Sequence, residues 1–254
     1  MLAQTDIAVD GYLRERLDPR PGDSLYLHLS DLRLALERCR PAGPLRVLDY
    51  GCGGSPYESL FPGAPYHRAD FAGMPRLDFI LAEDSAVGAP SGAYDLVLST
   101  QVLEHVAQPA TYLGECHRLL APGGKLVLST HGIFQDHGCP YDYQRWTGDG
   151  LKLALSRAGF EVVTLRKLTC GARALLFLAR THQAELVTRD RTLPAWGMRL
   201  LQRWLHNRPA LVDRFCDRAF PSDRRVCAVP AGQSGPPVYI GLLAEARKGP
   251  PAAV

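Results

Sequence analysis

The sequence predicts an α/β fold in which a central, mostly parallel sheet of seven strands carries helices on both faces. Two observations support this: short apolar runs alternate with helix-like segments, and a glycine-rich turn follows the first run. Strands that alternate with helices generally pair in parallel, because each helix carries the chain back across the sheet. The runs are "LRVLDY" (45–50), "YHRADF" (66–71), "LDFIL" (77–81), "YDLVLST" (94–100), "KLVLST" (125–130), "FEVVTLRKLT" (160–169) and "PPVYIGLLAEAR" (236–247).

Helix-like segments lie before and between these runs. Their apolar residues recur at three- and four-residue spacing, which is the period of one helix face. Asp23 or Ser24 is expected to cap the first helix and Thr147 the third, and Gly159 is expected to end the third. The segments are "SLYLHLSDLRLALERC" (24–39), "VAQPATYLGECHRLLAPGG" (106–124) and "TGDGLKLALSRAGF" (147–160).

The composition changes after the sixth strand-like run. From 172 to 236 the sequence is helical in pattern, rich in arginine and interleaved with Trp196, Trp204 and Phe215. It predicts a basic helical insertion before the last strand. The chain then divides into an N-terminal helical cap (1–44), a core (45–171), the insertion (172–236), and a closing strand with its tail (237–254).

Composition limits the classes of function. The seven cysteines form an odd set without a C-x-x-C pair, which argues against a disulfide framework and a zinc site and favours a reducing compartment. No signal-peptide pattern is visible, and no apolar run reaches the ~18 residues of a membrane span. A net charge of +3 is too small to indicate nucleic-acid binding. A cytoplasmic protein is therefore expected.

The glycine-rich turn "VLDYGCGGSPY" (47–57) indicates a ligand site. In an open α/β sheet a ligand binds beyond the carboxyl ends of the strands, where glycine lets it approach the backbone. Nothing basic lies in the turn, so Asp49 indicates a cationic ligand rather than a pyrophosphate. Asp70 ends the second strand, where an acid can accept both hydroxyls of a ribose. Asp84 follows the third strand and can accept from an exocyclic amine.

These features resemble the class I S-adenosylmethionine-dependent methyltransferases, over roughly residues 24–171 and 236–247. The similar stretches are "VLDYGCGGSPY", "RADF", "AEDSAVGAPSGAYDLVLSTQVLEHV", "LAPGGKLVLST" and "YDYQRWTGDGLKLALSRAGFEV". The last of them resembles a bacterial branch that often modifies sugars, glycans or natural products. The resemblance implies a Rossmann-like fold, S-adenosyl-L-methionine as the cofactor, and 45–171 as the part that binds it.

The resemblance also implies which residues contact the cofactor. Ser55 stands where the third glycine of the family's turn would fall, which alters the shape of the turn. The implied contacts are Asp49, Gly51, Cys52 and Gly53 at the methionine end, Asp70 at the ribose, Phe71 beside the adenine, Asp84 and Ser85 at the adenine edge, and Gln101 at the end of the fourth strand.

Candidate catalytic residues are concentrated in "STHGIFQDHGCPYDYQRW" (129–146). Methyl transfer needs the acceptor lone pair in line with the methyl group, and a hydroxyl acceptor also benefits from a base. His131 or His137 is predicted to be that base, with Asp136 or Asp142 orienting it. The spacing of these residues follows no known metal-site motif, so the transfer is predicted to need no metal.

The expected acceptor is a small-molecule or saccharide hydroxyl, and a nucleic-acid acceptor is not expected. The alternatives are an N-methyltransferase acting on an amino sugar or amine, and a protein that binds the cofactor without turnover. The insertion is predicted to cover the acceptor side, with an apolar face formed by Leu200, Leu201, Trp204 and Leu205. It can also be interpreted as a peripheral membrane surface or a homodimer contact.

Overall fold

The structure is a computed structural model and describes residues 6–40, 45–138, 141–181 and 192–249. The helices are α1 (Asp6–Leu17), α2 (Tyr26–Arg38), α3 (Pro109–Leu119), α4 (Gly148–Arg157), α5 (Ala172–Thr181), α6 (Leu193–Asn207), α7 (Pro209–Ala219) and α8 (Ser222–Arg225). The strands are β1 (Val47–Tyr50), β2 (Tyr66–Asp70), β3 (Phe79–Ile80), β4 (Tyr94–Thr100), β5 (Leu120–His131), β6 (Phe160–Cys170), β7 (Val226–Ala228) and β8 (Tyr239–Lys248). Single 3₁₀ turns cover Glu58–Leu60 and Leu103–His105.

The strands of the described ranges form one sheet in the order β3-β2-β1-β4-β5-β8-β6-β7. Strands β1 to β5 run parallel, and β8 lies antiparallel between β5 and β6. The carboxyl ends of the parallel strands therefore share one edge, which we call the carboxyl edge. The mostly parallel α/β sheet is confirmed, as is the pairing of the sixth and last predicted strands.

The number of strands differs from the seven predicted. The additional strand, β7, pairs antiparallel with β6 at the margin of the sheet. It has only three residues, "VCA", and three residues are too few to show the alternation by which a strand is recognised.

Helices cover both faces of the sheet. Leu113 of α3 and Leu155 of α4 belong to the apolar core on one face, together with Leu128 of β5. Leu32 of α2 packs with Leu98 of β4 in the core on the other face. The amphipathic spacing that predicted these helices places their apolar sides against the sheet.

The predicted helix ends are partly confirmed. The Thr147 side chain accepts a hydrogen bond from the Gly150 amide at 3.1 Å, as a cap of α4 should. The predicted cap of α2 is wrong, because that helix begins at Tyr26 without a side-chain cap. The Asp23 carboxylate is instead paired with Arg14 of α1.

Helices α5, α6 and α7 pack on α2 near the start of β8. Phe177 of α5, Leu205 of α6 and Val212 of α7 form an apolar core with Leu27 of α2 and Ile240 of β8. Because the first residues of β8 pair with the last residues of β5, this core adjoins the carboxyl edge.

The expected apolar face of α6 is not a buried face. Leu200, Leu201 and Trp204 are about half exposed, at 48%, 50% and 49%, and only Leu205 of that set is buried. The physical reason is that α6 contacts α5 and α7 through Leu205, which leaves the other three side chains on the outer side. Within the described ranges no helix combines the length and the apolar character needed to cross a membrane.

Candidate active site

The glycine turn after β1 takes the left-handed backbone that its composition predicts. Gly51 has φ +76° and Gly53 has φ +53°, a region that side chains rarely adopt. A Cβ atom on Gly51 would lie 2.5 Å from Cγ2 of Val102, whereas a Cβ atom on Gly53 would meet nothing within 4 Å. The turn is therefore tight at Gly51 and open at Gly53. Cys52 lies buried between them, and burial raises the pKa of its thiol to about 12.

Two carboxyl groups flank this turn, the buried Asp49 and the part-buried Asp70. Oδ2 of Asp49 accepts a hydrogen bond from the Tyr66 hydroxyl at 2.7 Å, but Oδ1 has no hydrogen-bond partner. Burial raises the pKa of Asp49 to about 7. Asp70 accepts from the amides of Gly53 and Phe71, both at 2.7 Å, and so ties the end of β2 to the turn. Burial also raises the pKa of Asp70.

The loop after β3 lies at the same edge. The Tyr50 hydroxyl donates a hydrogen bond to the Ser85 carbonyl, which fixes this loop against the end of β1. Ser85 has φ +67°, and Oδ1 of Asp84 accepts from the Ala86 amide at 3.0 Å. The ring of Phe71, which directly follows β2, is half exposed. The residues predicted to contact the ribose and the adenine are thus brought to one part of the carboxyl edge.

Gln101 follows β4 in a strained backbone conformation. Its φ is +58°, and such strain in a residue other than glycine is concentrated at functional sites. The Gln101 amide donates to the Ser129 carbonyl at 3.0 Å, and Oε1 lies 3.2 Å from Nε2 of His28. His28 comes from α2 and is fully buried, which lowers its pKa to about 4. Sequence reasoning missed His28 because it lies among the apolar residues of a helix.

Beyond Gln101 the carboxyl edge carries a compact group, the histidine–glutamate cluster, formed by Glu104, His131 and His137. One ligating atom from each of the three lies within 4.8 Å of the other two. Oε2 of Glu104 accepts from the Thr130 hydroxyl at 2.8 Å. Oε1 lies 3.1 Å from Nε2 of His131 and has no hydrogen-bond partner. Burial raises the pKa of Glu104 to about 7 and holds that of His131 well below its usual range.

His137 is oriented by a carboxylate that is itself anchored. The His137 amide donates to Oδ2 of Asp142 at 2.9 Å, and Nδ1 lies 3.3 Å from the same oxygen. Nη1 of Arg145 donates to Oδ1 of Asp142 at 2.6 Å, and this ion pair lowers the pKa of Asp142 to about 2. Asp136 is different. Its side chain is fully exposed and lies 3.8 Å from Arg145, so the structure does not bring it to either histidine.

Aromatic rings enclose the cluster. The rings of Phe134 and His131 stack with their centroids 3.9 Å apart, and His137 stands perpendicular to His131 at 5.0 Å. Phe177 of α5 stacks on Phe134 at 5.9 Å. Helix α5 therefore contacts the rings that surround the cluster.

The arrangement can be compared with known families. A family model described as a methyltransferase domain matches residues 26–165, more than half of the chain. The chain belongs to this methyltransferase family. It is a class I S-adenosylmethionine-dependent methyltransferase, with S-adenosyl-L-methionine as its cofactor.

Several individual proteins are similar to this methyltransferase. A ubiquinone biosynthesis O-methyltransferase of Cereibacter sphaeroides is 36% identical over 35% of this chain and 42% of its own length. The matched region thus spans less than half of that relative. Among solved structures, phosphoethanolamine N-methyltransferase 2 of Haemonchus contortus in complex with S-adenosyl-L-methionine has a TM-score of 0.52, at 14% identity over 97% of this chain and 58% of that chain. The [4+2]-cyclase SpnF has a TM-score of 0.50, at 18% identity over 87% and 81%. These two structural similarities concern the fold.

The residues of the methyltransferase fit its cofactor. Oδ1 of Asp49 is a buried carboxylate oxygen without a partner, and a cationic group can satisfy it. Gly53 leaves open space where a side chain would otherwise stand. Both features suit a ligand that carries an ammonium and a sulfonium group and lies against the turn.

Glu104 is the functional candidate that sequence reasoning missed on the acceptor side. It lies in "LEHV" directly after β4, within a 3₁₀ turn that buries its side chain completely. A glutamate directly after a strand is a signal that sequence analysis could have used. The burial of its side chain, however, depends on β5 and on the backbone of Tyr143. The Tyr143 amide donates a hydrogen bond to the Glu104 carbonyl at 2.8 Å.

Proposed function

We propose that this methyltransferase transfers a methyl group from S-adenosyl-L-methionine to a hydroxyl oxygen of a small molecule, such as a saccharide or natural product. The observation that carries the proposal is the position of His131. Its Nε2 lies 3.1 Å from the buried carboxyl group of Glu104. His131 ends β5, which pairs with β4, the strand that leads to Gln101. The name of the Cereibacter sphaeroides relative, an O-methyltransferase, supports the same reaction.

The cofactor is proposed to lie across the carboxyl edge from the glycine turn to the loop after β3. Asp49, Gly51, Cys52 and Gly53 would line its methionine end, Asp70 would accept from the ribose hydroxyls, and Gln101 would close the end of β4. Phe71 would lie beside the adenine, and Asp84 and Ser85 would bind its edge. The strained backbones of Ser85 and Gln101 and the unpartnered Oδ1 of Asp49 support this placement.

The chemistry on the acceptor side is assigned to His131. When bound, the cofactor supplies an electrophilic methyl group on its sulfonium sulfur. The acceptor oxygen takes that methyl group and loses its proton, which His131 accepts at Nε2. Glu104, whose Oε1 lies 3.1 Å from Nε2, stabilises the imidazolium that forms. His137, held by Asp142, is the alternative base on the same cluster.

The acceptor is proposed to lie under the insertion (172–236). Phe177 stacks on Phe134, which in turn stacks on His131, so α5 forms one wall of the acceptor side. A cytoplasmic location accords with the free thiols of the described chain, which are Cys39, Cys52, Cys116, Cys170, Cys216 and Cys227. Cys139 lies outside the described residues.

The test is turnover with labelled cofactor and a panel of saccharide, phenolic and amine acceptors. We expect methylation of a hydroxyl acceptor. We also expect His131→Ala to lower kcat by about 10²–10⁴-fold while affinity for S-adenosylhomocysteine is retained. His67→Ala, a histidine on β2 away from the cluster, is the matched control and should retain full activity.

Three results would contradict the proposal. Methylation of amines alone would indicate an N-methyltransferase. A loss of less than tenfold in both His131→Ala and His137→Ala would show that positioning alone drives the transfer. Cofactor binding without any turnover would indicate a binding protein.

The transfer is further predicted to need no metal, since a positioned base suffices for the proton. Turnover of the identified acceptor should survive excess chelator. Loss of activity on chelation that magnesium or zinc restores would show this prediction to be wrong.

A further inference from the structure

We propose that Glu104, His131 and His137 bind one divalent transition-metal ion such as Zn²⁺, and that the bound ion inhibits the transferase. The inhibitory part rests on the proposed function, because it follows from His131 being the base. The ion site itself rests only on the geometry of the cluster.

The ligand types and their spacing suit such an ion. Two imidazoles and one carboxylate form a common ligand set for zinc and its neighbours, whereas Mg²⁺ and Ca²⁺ prefer oxygen ligands. Ligands about 2.1 Å from a tetrahedral ion lie about 3.4 Å from one another. The Glu104–His131 contact is already 3.1 Å, and the whole set lies within 4.8 Å. To bring all three ligands to the ion, His137 would have to move closer to the other two, and it is part-exposed on a loop.

A second observation points to a missing ligand at the same place. Glu104 is completely buried, yet its Oε1 has no hydrogen-bond partner. A buried polar atom without a partner is costly, and Nε2 of His131 lies 3.1 Å from this oxygen. A cation that contacts both atoms would satisfy the two lone pairs together.

The surroundings hold Glu104 and His137 as the outer groups of metal sites do, whereas Nδ1 of His131 is buried and has no hydrogen-bond partner. Thr130 donates to Oε2 of Glu104, which leaves Oε1 directed at His131. Nδ1 of His137 lies 3.3 Å from both the Asp142 carboxylate and the Gln135 carbonyl. Contacts with these acceptors place the proton on Nδ1 and leave the Nε2 lone pair available for an ion. Arg145 fixes Asp142 in turn.

A bound ion would inhibit the transferase because it occupies the lone pair with which His131 accepts the proton. The neutral ring of His131 has a single nitrogen lone pair that can accept a proton or bind an ion, and it cannot do both. An ion in the cluster therefore removes the base. The site escaped sequence analysis because its ligands come from the turn after β4, the end of β5 and the loop that follows, with no motif spacing between them.

The experiment titrates Zn²⁺ and Co²⁺ into metal-free protein, using calorimetry and the visible absorption of bound Co²⁺. We expect one ion per chain. Glu104→Gln and His137→Ala should each weaken binding by more than the about 10–100-fold expected for Asp142→Asn, which perturbs only an outer group. His67→Ala should bind as wild type does. Calorimetry with S-adenosylhomocysteine verifies that each variant is folded, and His137→Ala, at the part-exposed ligand, is the variant least disruptive to the core.

Binding that both ligand variants retain, or no saturable binding at all, would overturn the site. With an acceptor in hand, Zn²⁺ should inhibit turnover in the concentration range where it binds. Activity that requires the ion would overturn the inhibitory part. A protein that binds the ion but turns over no hydroxyl acceptor would refute the proposed function, and inhibition with it, while the ion site stands.

Discussion

Asp49 combines burial with an unused hydrogen-bonding atom, and both properties can be measured. If its Oδ1 accepts from the ammonium group of the cofactor, Asp49→Asn should weaken binding by roughly 1.5–3 kcal/mol, the range for hydrogen bonds to charged groups. Calorimetry with S-adenosylmethionine and S-adenosylhomocysteine tests this. Equal losses for both ligands would exclude the sulfonium as the group that Asp49 contacts, because only S-adenosylmethionine carries it. Unchanged affinity for both would refute the contact.

The same residue sets a pH dependence of stability in the cofactor-free protein. The pKa of Asp49 is raised from 3.8 to about 7, so the folded state holds a proton that the unfolded chain has lost between those values. The free energy of unfolding should therefore fall as pH rises from about 4 to about 7 and change little above that, by roughly 1.4 kcal/mol per pH unit at most. Urea unfolding across this window measures the slope. Asp49→Asn should make it shallower, and an unchanged slope would contradict the assignment.

At the scale of elements, a buried ionic network joins the insertion to α2. Asp31 of α2 and Arg173 of α5 are both fully buried, and Nε of Arg173 donates to Oδ2 of Asp31 at 2.8 Å. Arg225 of α8 pairs with the other oxygen of Asp31 at 2.7 Å. The packing of three helices that are far apart in the sequence, α2, α5 and α8, thereby depends on the Asp31 carboxylate.

Breaking this network should destabilise the fold. Arg173→Met leaves a buried charge with fewer partners and should cost about 3–5 kcal/mol of the free energy of unfolding. Chemical denaturation measures the loss. Asp31→Leu combined with Arg173→Met should cost less than Arg173→Met alone, because the double variant buries neither charge. A double variant that is the less stable of the two would show that the network itself stabilises the fold.

The insertion offers a comparison between two of its helices. Phe177 of α5 contacts the aromatic rings around the cluster, whereas Trp204 of α6 is half exposed on the outer side. We expect Phe177→Ala to lower kcat/KM for the acceptor at least tenfold without changing the affinity for the cofactor. Trp204→Ala should leave both unchanged. Steady-state kinetics decides, and the opposite pattern would assign the acceptor wall to α6.

At the scale of the whole molecule, the sequence predicted those parts of the fold that leave a periodic pattern of apolar residues. Alternating runs and helical spacing gave the α/β sheet, because burial on one face leaves a period in the sequence. The strand ends at Asp49 and Asp70 could be located for the same reason. The three-residue β7 left no such period.

The acceptor side could be predicted only in part. His131 and His137 stand out as titratable residues after a strand, but the burial of Glu104 and the approach of His28 depend on packing between distant segments. Asp136 lies one residue before His137 and looked equivalent to Asp142 in sequence. In the fold, Asp142 is held by an ion pair with Arg145, whereas the side chain of Asp136 lies in solvent.

The position of β8 has a consequence for how the protein is made. Residues 239–248 fill the gap between β5 and β6, so until the ribosome has delivered them both of those strands present unpaired backbone. Open strand edges template pairing with other chains, and contacts between residues distant in sequence form slowly. The nascent polypeptide therefore carries these aggregation-prone edges from the completion of each strand until residues 239–248 emerge. A premature stop between residues 170 and 239 would release a product that has the glycine turn and both of those strands but cannot close its sheet.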